Sequence, residues 1–406
     1  MYRICWLCML FFPAWASGGD WPQFLGPTRD GHSAETGLLR SWPKDGPERI
    51  WQRSVGAGFS GPAIERGKLI LFHRVGDEEH IECLDAKTGS GIWKTSIPTA
   101  YSDDYGKGDG PRATPIIADG RVFTLGADGQ LTCVEFASGK KVWGRDLAAD
   151  YPFKKAYFGV GAAPVVDGDR LFVNAGSKGA GVVALDCKTG RELWKATDDR
   201  ASYSTPTVAE LRGKRLLLFV TREGLLVLDP KDGSVAHRRA FRARIDASVN
   251  AATPLVAGDR VFLSASYNTG GLLLDADGWN EIWKSDESLS NHYNTSVKVG
   301  EHLYGIHGRQ EAGGELRCVE WKTGKVAWTK EKFGCGWLIA ADGLLIAASE
   351  SGDLVLLEPT PTEYKERSRF AALAAPHGAL APPALSDGLL FARDGKTLTA
   401  WKIKKD

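Results

Sequence analysis

Seven stretches of the chain carry side chains able to bind a small molecule, and each stands just ahead of an apolar run. They are Tyr101-Ser102-Asp103-Asp104-Tyr105 with Arg112, Tyr157-Phe158, Tyr203-Ser204-Thr205, Asp246 with Asn250, Asn291-His292-Tyr293-Asn294-Thr295, Gly336-Trp337, and His377. Bulky polar groups converging on one axis cost desolvation unless water or a ligand satisfies them. Asp104, Arg112, Tyr203, Asn250, His292, Asn294, Trp337 and His377 are therefore the candidate ligand-binding residues, with a hydrated opening as the alternative. A catalytic set is not legible. No G-x-S-x-G occurs, and His302 and His307 lack a third ligand nearby, so neither a catalytic residue nor a metal site is expected. Gly56-Ala57-Gly58-Phe59-Ser60-Gly61 matches G-x-G-x-x-G, but Pro62 and a strand follow where a dinucleotide site needs a helix N-terminus.

The elements that must position these residues come from a repeat. Val183-Ala184-Leu185-Asp186-Cys187-Lys188-Thr189-Gly190-Arg191-Glu192-Leu193-Trp194 reads as a strand, a tight turn and a second strand closed by an indole. Copies end at Trp93, Trp143 and Trp328, and in all four the Trp falls four residues after the Gly. The acid accepts hydrogen bonds from turn amides, the Gly supplies the positive φ, and the aromatic closes the outer strand. Trp51, Trp93, Trp143, Trp194, Trp283 and Trp328 are the expected blade-closing residues, buried between neighbours, with His237 at the equivalent place in one copy. Their spacing of about 46 residues is that of a four-stranded propeller blade. Eight units follow one another from Gly58 to Lys402. The last lacks its Trp-bearing strand, and the orphan strand around Trp51 supplies it, closing the ring and removing exposed edges. The expected fold is all-β: an eight-bladed β-propeller of four-stranded antiparallel blades, closed by an N-terminal strand.

The three expected segments are a signal peptide at residues 1–16, an irregular Trp/Pro/Gly-rich arm at 17–47, and the propeller at 48–406. Arg3, the apolar run Ile4 to Phe12, and Ala14-Trp15-Ala16 fit a cleaved secretory signal, which places the chain in the periplasm or outside the cell. Leu7 before Cys8 argues against a lipid anchor, and no later apolar run is long enough to span a bilayer. Loss of the arm alone is expected to be milder than loss through Val55. Basic and acidic residues number 51 and 50, so no global field draws the protein to nucleic acid or anionic membrane. Cys83, Cys133 and Cys318 share one place in their repeats, too far apart for disulfides, and read as small buried hydrophobes.

The A-x-D-x-x-T-G-x-x-x-W pattern, clearest from Ala184 to Trp194, resembles the repeat of the quinoprotein-type (PQQ-repeat) β-propellers, and the resemblance runs from about Trp51 to the C-terminus. That family includes pyrroloquinoline-quinone dehydrogenases and a non-catalytic propeller of the outer-membrane barrel-assembly machinery. The repeat, the resemblance and the funnel residues together leave three readings of function. The first is an exported, non-catalytic, monomeric binding or scaffold module that takes a protein partner or small polar ligand at its funnel and needs no cofactor. The second is a quinoprotein oxidoreductase of an alcohol or sugar, holding PQQ with calcium, for which Asn250, Asp104 and Trp337 would serve. The third is a carbohydrate-like ligand stacked on Trp337 and Tyr203. No Cys-Cys pair and no contiguous calcium loop accompany the pattern.

Overall fold

Short apolar runs, buried on both faces in the inner strands and alternating only in the outer ones, are broken at Gly or Asp-Gly and pair with their sequence neighbours, because a tight turn is the least costly way to bring two strands together. The computed structural model describes residues 19–106, 108–153, 157–242, 250–374 and 381–405. Eight antiparallel sheets follow in order. The first blade is built from Ala63–Glu65, Lys68–Val75, Glu78–Asp85 and Gly91–Pro98, and the next six repeat its connectivity. The eighth takes Ala384–Ser386, Leu389–Arg393 and Thr397–Lys402 from the C-terminus and Arg49–Ser54 from the N-terminus. The ring is thus closed by the first long strand of the chain, as the repeat arithmetic requires. The segment expected to be a signal, with Cys5 and Cys8, lies outside the described residues, as do Asp246 and His377.

The turn before each outer strand is made as its residues dictate. Asp186 Oδ1 accepts from the amides of Lys188 at 3.0 Å and Thr189 at 2.8 Å and from the Thr189 hydroxyl at 2.7 Å, while Gly190 takes φ 70°. The indole then reaches sideways into the next blade. Trp143 Nε1 donates to the Cys187 carbonyl at 3.0 Å, and a Cβ on Gly190 would lie 2.7 Å from the indole. Trp51 does the same to Ala86, Trp93 to Phe136, Trp194 to Pro230, Trp283 to Trp321 and Trp328 to Thr360. The turn glycine therefore does two jobs: positive φ and room for the neighbour's ring. The expectation of full burial needs correcting, since Trp283 alone of the six is buried and the rest are half-buried with one flank at the outer wall.

Two junctions depart from this scheme. At the fourth-to-fifth junction the incoming residue is His237 and the turn position holds Trp279 at φ 56°, the rings stacked 4.5 Å apart at 6°. Large and small have exchanged places. At the seventh-to-eighth junction the register position is Ser368, and Trp42 of the arm fills the gap: its amide donates to Ser368 Oγ at 2.7 Å and its ring packs edge-on to Phe370 at 5.8 Å.

The arm also crosses the channel. Trp21 bridges Ile64 of the first blade, the Pro22 carbonyl accepts from Ile117 of the second, Arg29 Nη2 donates to the Val166 carbonyl of the third at 2.8 Å, and His32–Ser33 pairs in parallel with Gly336–Ala341 of the seventh. These contacts lie toward the ends where innermost strands turn into second strands, so the arm lies across the channel end opposite the leading loops. All eight outer strands also carry a bulge, at the residue before the Trp position. The five described cysteines are free and buried. Cys83, Cys133 and Cys318 stand opposite Trp93, Trp143 and Trp328, where a small side chain makes room for the indole.

Candidate functional site

The leading loops join each outer strand to the next innermost one, and most of their polar side chains hold the loops themselves. Arg112 donates to the Gly108 carbonyl at 2.7 Å and to that of Gly110, and stands 3.8 Å from Asp103 Oδ1. Its guanidinium lies 4.8 Å from the Tyr101 ring and 5.6 Å from that of Phe59, so the cation is fixed by stacking as well as by hydrogen bonds. The loop it holds carries exposed Asp104 and Tyr105. Tyr105 packs on Tyr157 at 5.3 Å and Phe158 at 5.7 Å, and Phe158 on Tyr203 at 6.0 Å. Tyr203 Oη accepts from the Phe158 amide at 2.7 Å, and burial pushes its phenol up to about 12, so it stays neutral. The loops of the second, third and fourth blades therefore share a row of aromatics.

The other candidates are largely inside. Asn250 is buried, with Nδ2 donating to the carbonyls of Thr221 at 2.7 Å and Phe241 at 2.9 Å. Asn294 is buried too and accepts from Asn291 at 3.1 Å. Trp337 is 6% exposed, flanked by Phe24 of the arm and by Tyr293, each at 5.6 Å, so it is a core residue rather than an open stacking face. His292 Nδ1 meets Gln310 Oε1 at 2.8 Å, and burial lowers its pKa, keeping it neutral. Asp104, Arg112 and Tyr203 thus belong to one loop cluster, which touches Asn250 through a backbone bond from Tyr203 at 3.0 Å. His292 and Trp337 belong to a second cluster through Tyr293.

Quinone binding with calcium can be tested against these positions. Asn250 Nδ2 is tied to backbone carbonyls while its Oδ1 is buried with no hydrogen-bond partner among the described residues, and Trp337 is covered on its flanks, so the stacking role that the resemblance implies has no open face. Among the described residues no group of three or more His, Cys, Asp or Glu side chains is arranged to hold a metal ion. The residues do not fit a calcium-held quinone.

Sequence reasoning missed a cleft of about 550 Å³ between the fifth and sixth blades, lined by Tyr267, Asn268, Asp286, His307 and Arg309 among others. A signal was present: Tyr-Asn stands in a hairpin turn where Asn-Gly is the usual choice.

The profile of the family described as outer membrane protein assembly factor BamB matches residues 77–330. The chain belongs to this family. The family's member from Burkholderia pseudomallei is 24% identical over 313 residues, 67% of this chain and 78% of that one. The Yersinia pestis member is 23% identical over 219 residues, and the match spans 52% of this chain and 49% of the relative's length. A quinohemoprotein alcohol dehydrogenase of Pseudomonas putida, ADH-IIG, is 30% identical over 122 residues, 28% of this chain and 16% of the enzyme. The crystal structure of BamB from Moraxella catarrhalis superposes with a TM-score of 0.65 at 16% identity, covering 88% of this chain and 98% of that one. Among the described residues no helix is long and apolar enough to cross a membrane.

Proposed function

We propose that this chain is an exported, non-catalytic propeller that binds another protein during the assembly of outer-membrane proteins. Membership of the BamB family supports the process. The observation that carries the binding mode is the pair Tyr105 and Tyr157, 53% and 36% exposed, the first on the loop that Arg112 holds in shape and the second beside Phe158, whose amide Tyr203 anchors. Exposed aromatics on a fixed backbone lose little entropy when covered, and Tyr is enriched among the residues that dominate protein interfaces. The leading loops of the second to fourth blades are then the docking face, and the polar residues beneath them are its framework rather than ligand contacts.

Deleting the gene in its own host and measuring folded β-barrel proteins in the outer membrane tests the process. Their abundance should fall and be restored by the wild-type chain but not by a Tyr105→Ala/Tyr157→Ala variant present at equal level. Normal barrel abundance in the deletion strain sinks the reading. Tight uptake of pyrroloquinoline quinone with calcium, accompanied by dye reduction, would replace it with an oxidoreductase.

A further inference from the structure

The hairpin between Arg260–Ala265 and Gly270–Asp275 turns through Tyr267 and Asn268, both left-handed, at φ 58° and 61°. Such a turn favours Gly or Asn, and a tyrosine there is strained. The first blade makes its corresponding turn with Gly76 at φ 58°, and the second uses Gly129 at φ 97°, so the fold does not require an aromatic here. Strained positions of this kind cluster at ligand sites, where the surrounding structure holds them. The strain places the Tyr267 ring 4.5 Å beneath the guanidinium of Arg309 and 5.7 Å from the ring of His292.

Stacking fixes the plane of Arg309 and leaves its N–H edge open. Its ionic neighbour, Glu311 Oε2, is 4.0 Å from Nε, beyond hydrogen-bond length. A planar fork held this way is set up to take a carboxylate through two N–H bonds. The same cleft presents the exposed carboxylate of Asp286, the exposed amide of Asn268, and His307, whose Nδ1 is buried with no hydrogen-bond partner among the described residues. Asp286 opposes a ligand that is merely an anion, but it accepts readily from hydroxyls, as does an imidazole nitrogen. The volume of about 550 Å³ falls within the range of small-ligand sites.

We propose that this cleft binds an acidic sugar unit, a hydroxylated ring bearing one carboxylate, with Arg309 on the carboxylate and Asp286, Asn268 and His307 on the hydroxyls. The site is separate from the protein-docking loops, and either can fail without the other. Titration calorimetry of the full mature chain with glucuronate and galacturonate tests it, with glucose and acetate as the neutral and carboxylate-only controls. At least one uronate should bind about tenfold or more tightly than either control. Arg309→Gln should weaken that binding about tenfold, with Arg309→Lys failing to restore it. Tyr267→Gly should weaken binding while raising the melting temperature, a combination that a purely structural tyrosine would not produce. Absence of uronate binding at millimolar concentration, equal affinity for glucose or acetate, or affinity unchanged in both the Arg309→Gln and Tyr267→Gly variants overturns the proposal.

Discussion

Glu79 is fully buried near the leading-loop end of the first blade, so close to Gly126 that a Cβ there would lie 2.4 Å from its carboxylate. Burial first, and repulsion from Asp128 second, raise its pKa from 4.5 to about 7. Glu35 of the arm is also raised to about 7, chiefly by burial. A carboxyl that holds its proton more tightly when folded contributes stability that is complete below pH 4.5 and is lost as pH rises through 7. His80, His237, His292 and His307, whose pKa burial lowers, add stability over the same interval, so the test is differential: Glu79→Gln should remove a loss of unfolding free energy between pH 5 and pH 8 that the wild type carries, giving a more positive slope in urea melts across the interval. An unchanged slope would mean that Glu79 stays ionised. Residue-level function was the least legible part of the sequence. Arg112 and Asn250 were recognisable as bulky polar groups where packing needs small ones, but whether such a group meets a ligand or a loop carbonyl depends on the path of the loop. Tyr267 left only a faint trace, an aromatic where a tight turn favours Gly or Asn, because its importance lies in a φ that no residue pattern states.

At the level of the strand and its turn, the reading was nearly complete. Gly followed four residues later by Trp identified the outer hairpin in four copies, and the turn chemistry is that of the acid and glycine that the sequence displays. What the pattern could not show is that the two residues serve different blades, the indole of one packing on the glycine of the next. The fourth-to-fifth junction tests this coupling. An indole leaves no room for a Cβ, as the 2.3 Å approach at Gly139 and the 2.7 Å approach at Gly89 illustrate. His237→Trp should therefore destabilise the protein by about 1–3 kcal/mol through overpacking against Trp279. Adding Trp279→Gly, itself destabilising, should recover most of the loss, a coupling that a double-mutant cycle in urea would measure. Additive effects would break the link. At the ordinary junctions Trp194→Ala should cost about 2–4 kcal/mol, below the range for a wholly buried aromatic because one flank already meets water.

For the molecule as a whole, the arm is more closely tied to the blades than its composition suggested. It joins the first, second, third and seventh blades and lends Trp42 to a junction that lacks its own indole. Removing residues 20–47 should lower the thermal midpoint by several degrees, and Trp42→Ala should reproduce much of that fall, in calorimetry of the purified chain. A midpoint unmoved by both would show the arm to be passive. The bulge in every outer strand bears on association. An edge interrupted there is a poor template for a further strand, so a partner is steered to the loop faces rather than to the rim. Closure by Arg49–Ser54 has another consequence, which concerns time. This strand is made long before its partner, Thr397–Lys402. At 5–20 residues per second the interval is roughly 20 to 70 s, and no order of folding lets the first strand pair before the strands of the last blade exist. A chain that stops even twenty residues early can build most of its blades and still never close the ring.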